Sequence, residues 1–172
     1  MPTTLELIGK AVVERGDGRL GQVKDVIIDP AEVKVLALLV RPAPPAADDL
    51  VLPFESVFEL RSAEVVVTAR DDLAPIGRLP RVRFAHKHGP HLGRTPLVSS
   101  DGVPLGVIHD LHYDPDSTRV AGYEVASSDA PTRLVYVPAE HASFQGDEAL
   151  HVSARADVFF AHMARASPGD LG

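Results

Sequence analysis

The chain has 172 residues, 45% of them hydrophobic and 24% charged, with a formal net charge of −7 and no cysteine. That is a globular composition; it excludes disulfides and thiolate metal sites, fits a reducing compartment, and weighs against broad phosphate-backbone binding, which needs clustered Lys and Arg. Met1 to Lys10 lacks the basic start and long apolar core of a signal peptide, and the longest apolar run, Val35 to Val40, is far short of the ~20 residues that cross a bilayer, so a cytoplasmic protein with no membrane insertion is expected.

In chain order, the first predicted element is an apolar opening strand, Leu7 to Glu14, followed by the turn Arg15-Gly16-Asp17-Gly18. Asp-Gly between apolar runs signals a hairpin, because Gly accepts a positive φ. The next strand runs from Leu20 to Asp29 and alternates faces up to Val26. Asp29-Pro30 closes a second hairpin, since Asp and Pro suit the first positions of a type I turn. A long strand follows over Val33 to Arg41, then a Pro-rich loop to Asp49 that cannot join a sheet ladder. Leu50 to Pro53 is a strand, Phe54 to Phe58 a turn-like segment, and Glu64 to Thr68 a closing strand.

The series then recurs. Leu20 to Asp72 aligns without a gap onto Leu105 to Asp157, 85 positions later, and 13 of the 53 pairs are identical. Ordinary residue usage would give about three or four. The second series has an opening strand over Leu92 to Ser99, the turn Ser100-Asp101-Gly102, and a strand in which Val107, His109, Leu111 and Tyr113 share a face. It continues with Asp114-Pro115, a strand over Thr118 to Ala126, a loop from Ser127 to Thr132, Leu134 to Pro138, a turn-like Ala139 to Phe144, and Ala149 to Ser153. Arg155 to Arg165, with Val158, Phe159, Ala161, Met163 and Ala164, predicts a C-terminal helix ending before Pro168. Short strands at this spacing read as a small barrel. The expected organisation is therefore all-β: two tandem small antiparallel barrels, at 1–80 and 90–172, joined by a linker over 81–89. Units of that size bury only about 60% of their unfolded surface and are marginal alone, so packing or pairing of chains, including a homodimer, is a natural expectation.

The order of these signals resembles the PRC-barrel family, named after the cytoplasmic domain of the photosynthetic reaction centre H subunit. The matching residues are Leu7-Ile8-Gly9-Lys10, Asp17-Gly18, Leu20-Gly21-Gln22-Val23-Lys24-Asp25-Val26, Asp29-Pro30, Val35 to Val40 and Leu52-Pro53-Phe54-Glu55. The second series repeats them as Leu92-Gly93-Arg94, Asp101-Gly102, Leu105 to Asp110, Asp114-Pro115 and Val137-Pro138-Ala139-Glu140. The resemblance implies a module for assembly or docking rather than an enzyme; one relative of this kind is the second domain of a small-subunit ribosome maturation factor. This chain carries neither the H subunit's transmembrane helix nor that factor's additional N-terminal domain, so neither specific role is expected to carry over.

No catalytic, cofactor or metal residue is assigned from the sequence. All eight histidines lie at or beyond position 86. His86, His88 and His91 would share a direction on an extended chain, and imidazole is the usual ligand of Zn, Ni or Cu, but an exposed connector is the plainer reading. His109 and His112 fall on opposite faces of a strand; His141 and His151 replace Ser56 and Val66 of the first repeat. The shared carboxylates read as structural: Asp29 and Asp114 as acceptors of local backbone hydrogen bonds, Asp25 and Asp110 as cross-strand partners of Lys34 and Arg119, Glu55 and Glu140 as turn caps. The basic patch Arg78, Arg81, Arg83 and Lys87 reads as a solvated connector, and nucleic acid is not an expected partner. The expected role is a non-catalytic interaction module for an unidentified protein. The alternatives are a metal- or small-molecule-binding regulator and a ribosome- or RNA-associated factor.

Overall fold

The computed structural model describes residues 1–16 and 18–163. Asp17 of the first expected turn, and Ala164, Arg165 and Pro168 of the expected helix terminus, lie outside the described residues. The protein is mostly β, with two six-stranded sheets and two short helices among the described residues. The first sheet holds β1 (Ala11–Glu14), β2 (Arg19–Asp29), β3 (Lys34–Pro42), β4 (Leu50–Pro53), β5 (Val57–Leu60) and β6 (Glu64–Val67), in the order β4-β3-β2-β1-β6-β5. The second holds β7 (Pro96–Val98), β8 (Pro104–Tyr113), β9 (Val120–Ser127), β10 (Leu134–Pro138), β11 (Ala142–Phe144) and β12 (Leu150–Val152), in the order β10-β9-β8-β7-β12-β11. The two orders are the same, position for position.

Several expectations need correction, beginning with the opening strands, which start only at Ala11 and Pro96. The segments read as turns after Pro53 and Pro138 are only partly so: Phe54–Ser56 and Ala139–His141 each make one 3-10 turn, and the chain then pairs as β5 and β11. The sheets are also not wholly antiparallel, because β1 pairs with β6, and β7 with β12, in parallel.

The chain forms two compact units, Met1–Gly89 together with Tyr113–Val120, and Pro90–His112 together with the chain from Ala121 onward. In the first unit Val23, Val26 and Ile28 of β2, Val35, Leu38 and Val40 of β3 and Leu52 of β4 are buried. Each such aliphatic contributes about 1.5–3 kcal/mol when fully buried. Gly21 is required by proximity: a Cβ there would lie 2.3 Å from the Arg41 carbonyl oxygen. Gly106 of β8 repeats the arrangement at 2.2 Å from the Ala126 oxygen, which is why glycine stands in both repeats.

The segment expected as a linker is a helix of the first unit, α1 (Pro80–His88). Pro80 starts it, where its fixed φ fits and no N–H is missed. The Gly89 N–H closes it by donating to the Ala85 oxygen at 2.7 Å. Val82 and Ala85 face inward and pack with Ile27, Ala37, Leu39 and Val51, flanked by Leu36, Ile76 and Leu79. The first sheet is thus buried on both faces over β2, β3 and β4. Arg81 holds the helix down: its Nε and Nη2 donate to Asp29 Oδ2 at 3.0 and 2.5 Å, and Nη2 to Glu32 Oε1 at 2.6 Å.

Asp29 also shapes its own turn, its Oδ1 accepting from Ala31 N and Glu32 N at 2.8 and 3.2 Å. Asp114 does the same for Asp116 N and Ser117 N at 2.9 and 2.8 Å. Both turns place a non-glycine residue at positive φ, Val33 at 50° and Thr118 at 62°. Within the first unit the two turns exchange backbone bonds reciprocally, Val35 N to Thr118 O at 2.8 Å and Val120 N to Val33 O at 2.9 Å. Tyr113 is buried in the same unit, edge-on to Phe54 at 5.9 Å, and burial pushes its phenol up to about 12.

In the second unit Leu105, Ile108 and Leu111 of β8, Tyr123 and Val125 of β9, Val135 and Val137 of β10 and Leu150 of β12 are buried. Tyr123 lies edge-on to Phe144 at 6.4 Å. Its hydroxyl has no hydrogen-bond partner among the described residues, and burial raises its pKa well above the ordinary phenol value. The described part of the C-terminal helix is α2 (Ala156–Met163). No helix among the described residues is long and apolar enough to cross a membrane.

Candidate functional site

The face that α1 covers in the first unit has a different composition in the second. The counterparts of Ile27, Ala37, Leu39 and Val51 are His112, Gly122, Glu124 and Tyr136. His112 Nε2 and Glu124 Oε1 are 2.8 Å apart, with side chains 22% and 30% exposed. The Tyr136 ring meets His112 edge-on at 5.3 Å and lies across Gly122, where a Cβ would be 2.2 Å from the phenol oxygen. Gly122 therefore provides the flat backbone on which the ring rests.

The edges of the two sheets differ in the same place. At the first, Val51 N donates to Ala74 O at 2.8 Å and Ala74 N returns a bond to Val51 O at 3.0 Å. That bridge closes the outer side of β4 and leaves Val51 fully buried. The counterpart of Ala74 is Phe159, whose N–H donates to the oxygen of Arg155, the residue before α2, at 2.9 Å. Among the described residues Tyr136 has no such bridge, and β10 is an end strand of its sheet. Leu134 and Tyr136 are 49% and 40% exposed along it. Beside them lies a cavity of about 440 Å³ lined by Tyr136, Val137, Pro138, Val152, Val158 and Phe159 among others. The other end strand of the first sheet, β5, is guarded differently. The Arg15 guanidinium sits 4.5 Å over the exposed Phe58 ring, and Arg61 pairs with Glu59 at 2.8 Å; charges of this kind discourage strand addition.

The residues singled out from the sequence fall into place as follows. His86 and His88 lie in the last turn of α1 rather than on an extended chain. At about 100° per residue they point some 200° apart, and His91 follows beyond the helix. Among the described residues no three His, Asp or Glu side chains are grouped to hold a metal. Asp25 does not pair with Lys34: it stands opposite Leu39 and accepts from Val26 N at 2.8 Å, while Lys34 pairs with Glu32 at 2.8 Å. Asp110 repeats the local bond with Leu111 N at 2.8 Å. Glu55 and Glu140 sit within their 3-10 turns without capping them. His109 is exposed. His151 bonds Asp147 at 2.7 Å, holding that carboxyl below its usual range. With His141, Ser99 and Ser143, His151 lines a further cavity of about 460 Å³ in the second unit. Tyr136, Leu134 and Glu124 were not singled out from the sequence; comparing the outward positions of the two repeats would have found them.

Residues 5–74 match the PRC-barrel domain family. The first repeat is a PRC-barrel domain. The second sheet has the same strand order, and its repeat aligns without a gap, so the chain carries two tandem barrel-like units, of which the first carries the family match. No curated protein matches the chain.

Proposed function

We propose that this PRC-barrel protein is a non-catalytic interaction module, and that the second unit receives an extended segment of a protein partner on the open side of β10. The observation that carries this reading is the contrast between Val51 and Tyr136. One is sealed by a two-bond bridge to Ala74 and the other has no bridge among the described residues. An unbridged end strand offers N–H and C=O groups to an incoming strand, and alternate side chains of that strand then choose their pockets. The cavity beside Tyr136, with Val158 and Phe159 in its wall, suits an apolar side chain from such a segment. The lack of cysteine supports a reducing, cytoplasmic setting for this role.

The test is affinity capture from the native cell with the full chain and with a Leu134→Lys/Tyr136→Pro variant. Proline removes the N–H that an added strand would use. A partner held by the parent chain and lost from the variant supports the reading, and capture indifferent to the variant overturns it. Size measurement of both proteins separates a foreign partner from a second copy of the chain: a dimer broken by the variant identifies the occupant of β10 as β10 itself.

A further inference from the structure

The outward face of α1 forms a second surface, independent of β10. From Leu73 to Ser100 there is no Asp or Glu, while Arg78, Arg81, Arg83, Lys87 and Arg94 give the segment a net charge of +5. The rest of the chain carries 12 Lys and Arg against all 24 Asp and Glu, a net of −12. The segment's centre is α1, whose inward residues are Val82 and Ala85. At about 100° per residue the opposite face is made by Arg83, Phe84 and Lys87. Phe84 is 60% exposed. It is steadied by the His88 ring at 4.6 Å. Arg81 is committed to Asp29 and Glu32, whereas Arg78, Arg83 and Lys87 have no ion-pair partner among the described residues.

We propose that this face docks a short acidic segment of a partner protein, with a large apolar side chain placed against Phe84 between the carboxylates that meet Arg83 and Lys87. An exposed aromatic flanked by unpaired cations is the composition of an interface centre rather than of ordinary surface. The partner's dimensions follow from the charge map. The nine residues of α1 span about 14 Å at 1.5 Å per residue, enough to face two or three carboxylates. A longer polyanion, whether nucleic acid or an anionic membrane plane, needs an extended track of cations, and the remainder of this chain is net −12. A short acidic peptide meets the cations and little else.

The full chain is titrated with a fluorescent peptide carrying acidic residues on both sides of a Phe-Leu pair. Polyglutamate of equal length, oligothymidylate of equal charge and phosphatidylserine vesicles serve as the other probes. The acidic–apolar peptide binds best, Phe84→Ala weakens it by about tenfold, the order expected for losing one anchor side chain, and Arg83→Glu/Lys87→Glu removes binding. All three positions are exposed, so these variants keep the parent melting temperature. The Leu134→Lys/Tyr136→Pro variant binds the peptide as the parent does, which separates this surface from the one proposed on β10. The proposal is overturned if the peptide does not bind, if Phe84→Ala changes nothing, or if polyglutamate, the oligonucleotide or the vesicles bind as tightly.

Discussion

The two repeats build the same strand order and finish its outer face in opposite ways. In the first, four apolar side chains, Ile27, Ala37, Leu39 and Val51, lie under α1, and the edge is bridged by Ala74. In the second, the same four positions are His112, Gly122, Glu124 and Tyr136, joined by one hydrogen bond and one ring contact, and β10 has no bridge among the described residues. The inner faces, by contrast, stay apolar in both, apart from Tyr123 in the place of Leu38 and Tyr113 in the place of Ile28. A duplicated barrel can keep its interior and turns while its outer face diverges, because only the former are needed to close the fold. The divergent face is the one that the proposed interaction role uses.

The sharpest way to break that comparison is to place a carboxylate at the paired positions. Val51→Asp buries an unpaired charge under α1 and should cost about 3–5 kcal/mol, enough to unfold the first unit. Tyr136→Asp, at the half-exposed counterpart, should cost about 1 kcal/mol, the size of a lost aromatic contact. Thermal and urea melting of the two variants checks this; equal losses would mean that the outer faces are equally sealed. The glycines come next. Gly21→Ala and Gly106→Ala each drive a methyl into a strand carbonyl and should cost about 2–3 kcal/mol by overpacking. The three atoms nearest a Gly122→Ala methyl all belong to Tyr136, whose ring can swing outward, so about 1 kcal/mol or less is expected, together with loss of the His112–Tyr136 contact in aromatic NMR shifts.

A smaller effect with the opposite sign is expected in the second core. The buried Tyr123 hydroxyl has no partner among the described residues, and an unsatisfied buried group costs about 1–3 kcal/mol. Tyr123→Phe removes that cost while keeping the ring against Phe144, and should be neutral or stabilising by up to about 1 kcal/mol. Destabilisation in melting would show that the hydroxyl has a partner in solution.

Much of this was legible in the chain. The gapless 85-residue shift, the Asp-Gly and Asp-Pro turns and the aliphatic strands gave the sheets, since turn chemistry and period-two burial are local properties. The helix α1 was not legible. Its apolar stripe is only Val82 and Ala85, Phe84 points the wrong way for amphipathic spacing, and a nine-residue helix holds by docking rather than by propensity. Strands β5 and β11 were missed because Val57–Leu60 and Ala142–Phe144 are short and half-exposed, so pairing with β6 and β12 defines them. The proposed interaction surface was hidden for a related reason. Tyr136 and Leu134 look like ordinary strand residues until the missing bridge beside them is compared with Ala74.

The subtlest difference between the repeats is in their acid sensitivity, and it turns on Arg81. Burial alone would raise the Asp29 pKa, but the hydrogen bond from Arg81 and the N–H groups of Ala31 and Glu32 outweigh it and hold the carboxyl below its ordinary value. The Asp114 carboxyl is lowered by the N–H groups of Ser117 and Asp116, with no arginine. A depressed carboxylate pKa contributes stability that is fully present above the unfolded value of about 3.9 and is lost as pH falls through the lower folded value. Replacing Arg81 by Met keeps the stem over the helix base but removes the cation, so the folded pKa of Asp29 rises towards the unfolded one. The variant should be less stable than the parent above about pH 4, and the gap should narrow steadily as the pH falls below that, because the parent loses what the variant no longer has. Urea midpoints across an acid series measure the narrowing. A gap that stayed constant with pH would assign the Arg81 contribution to packing of its stem rather than to the Asp29 charge.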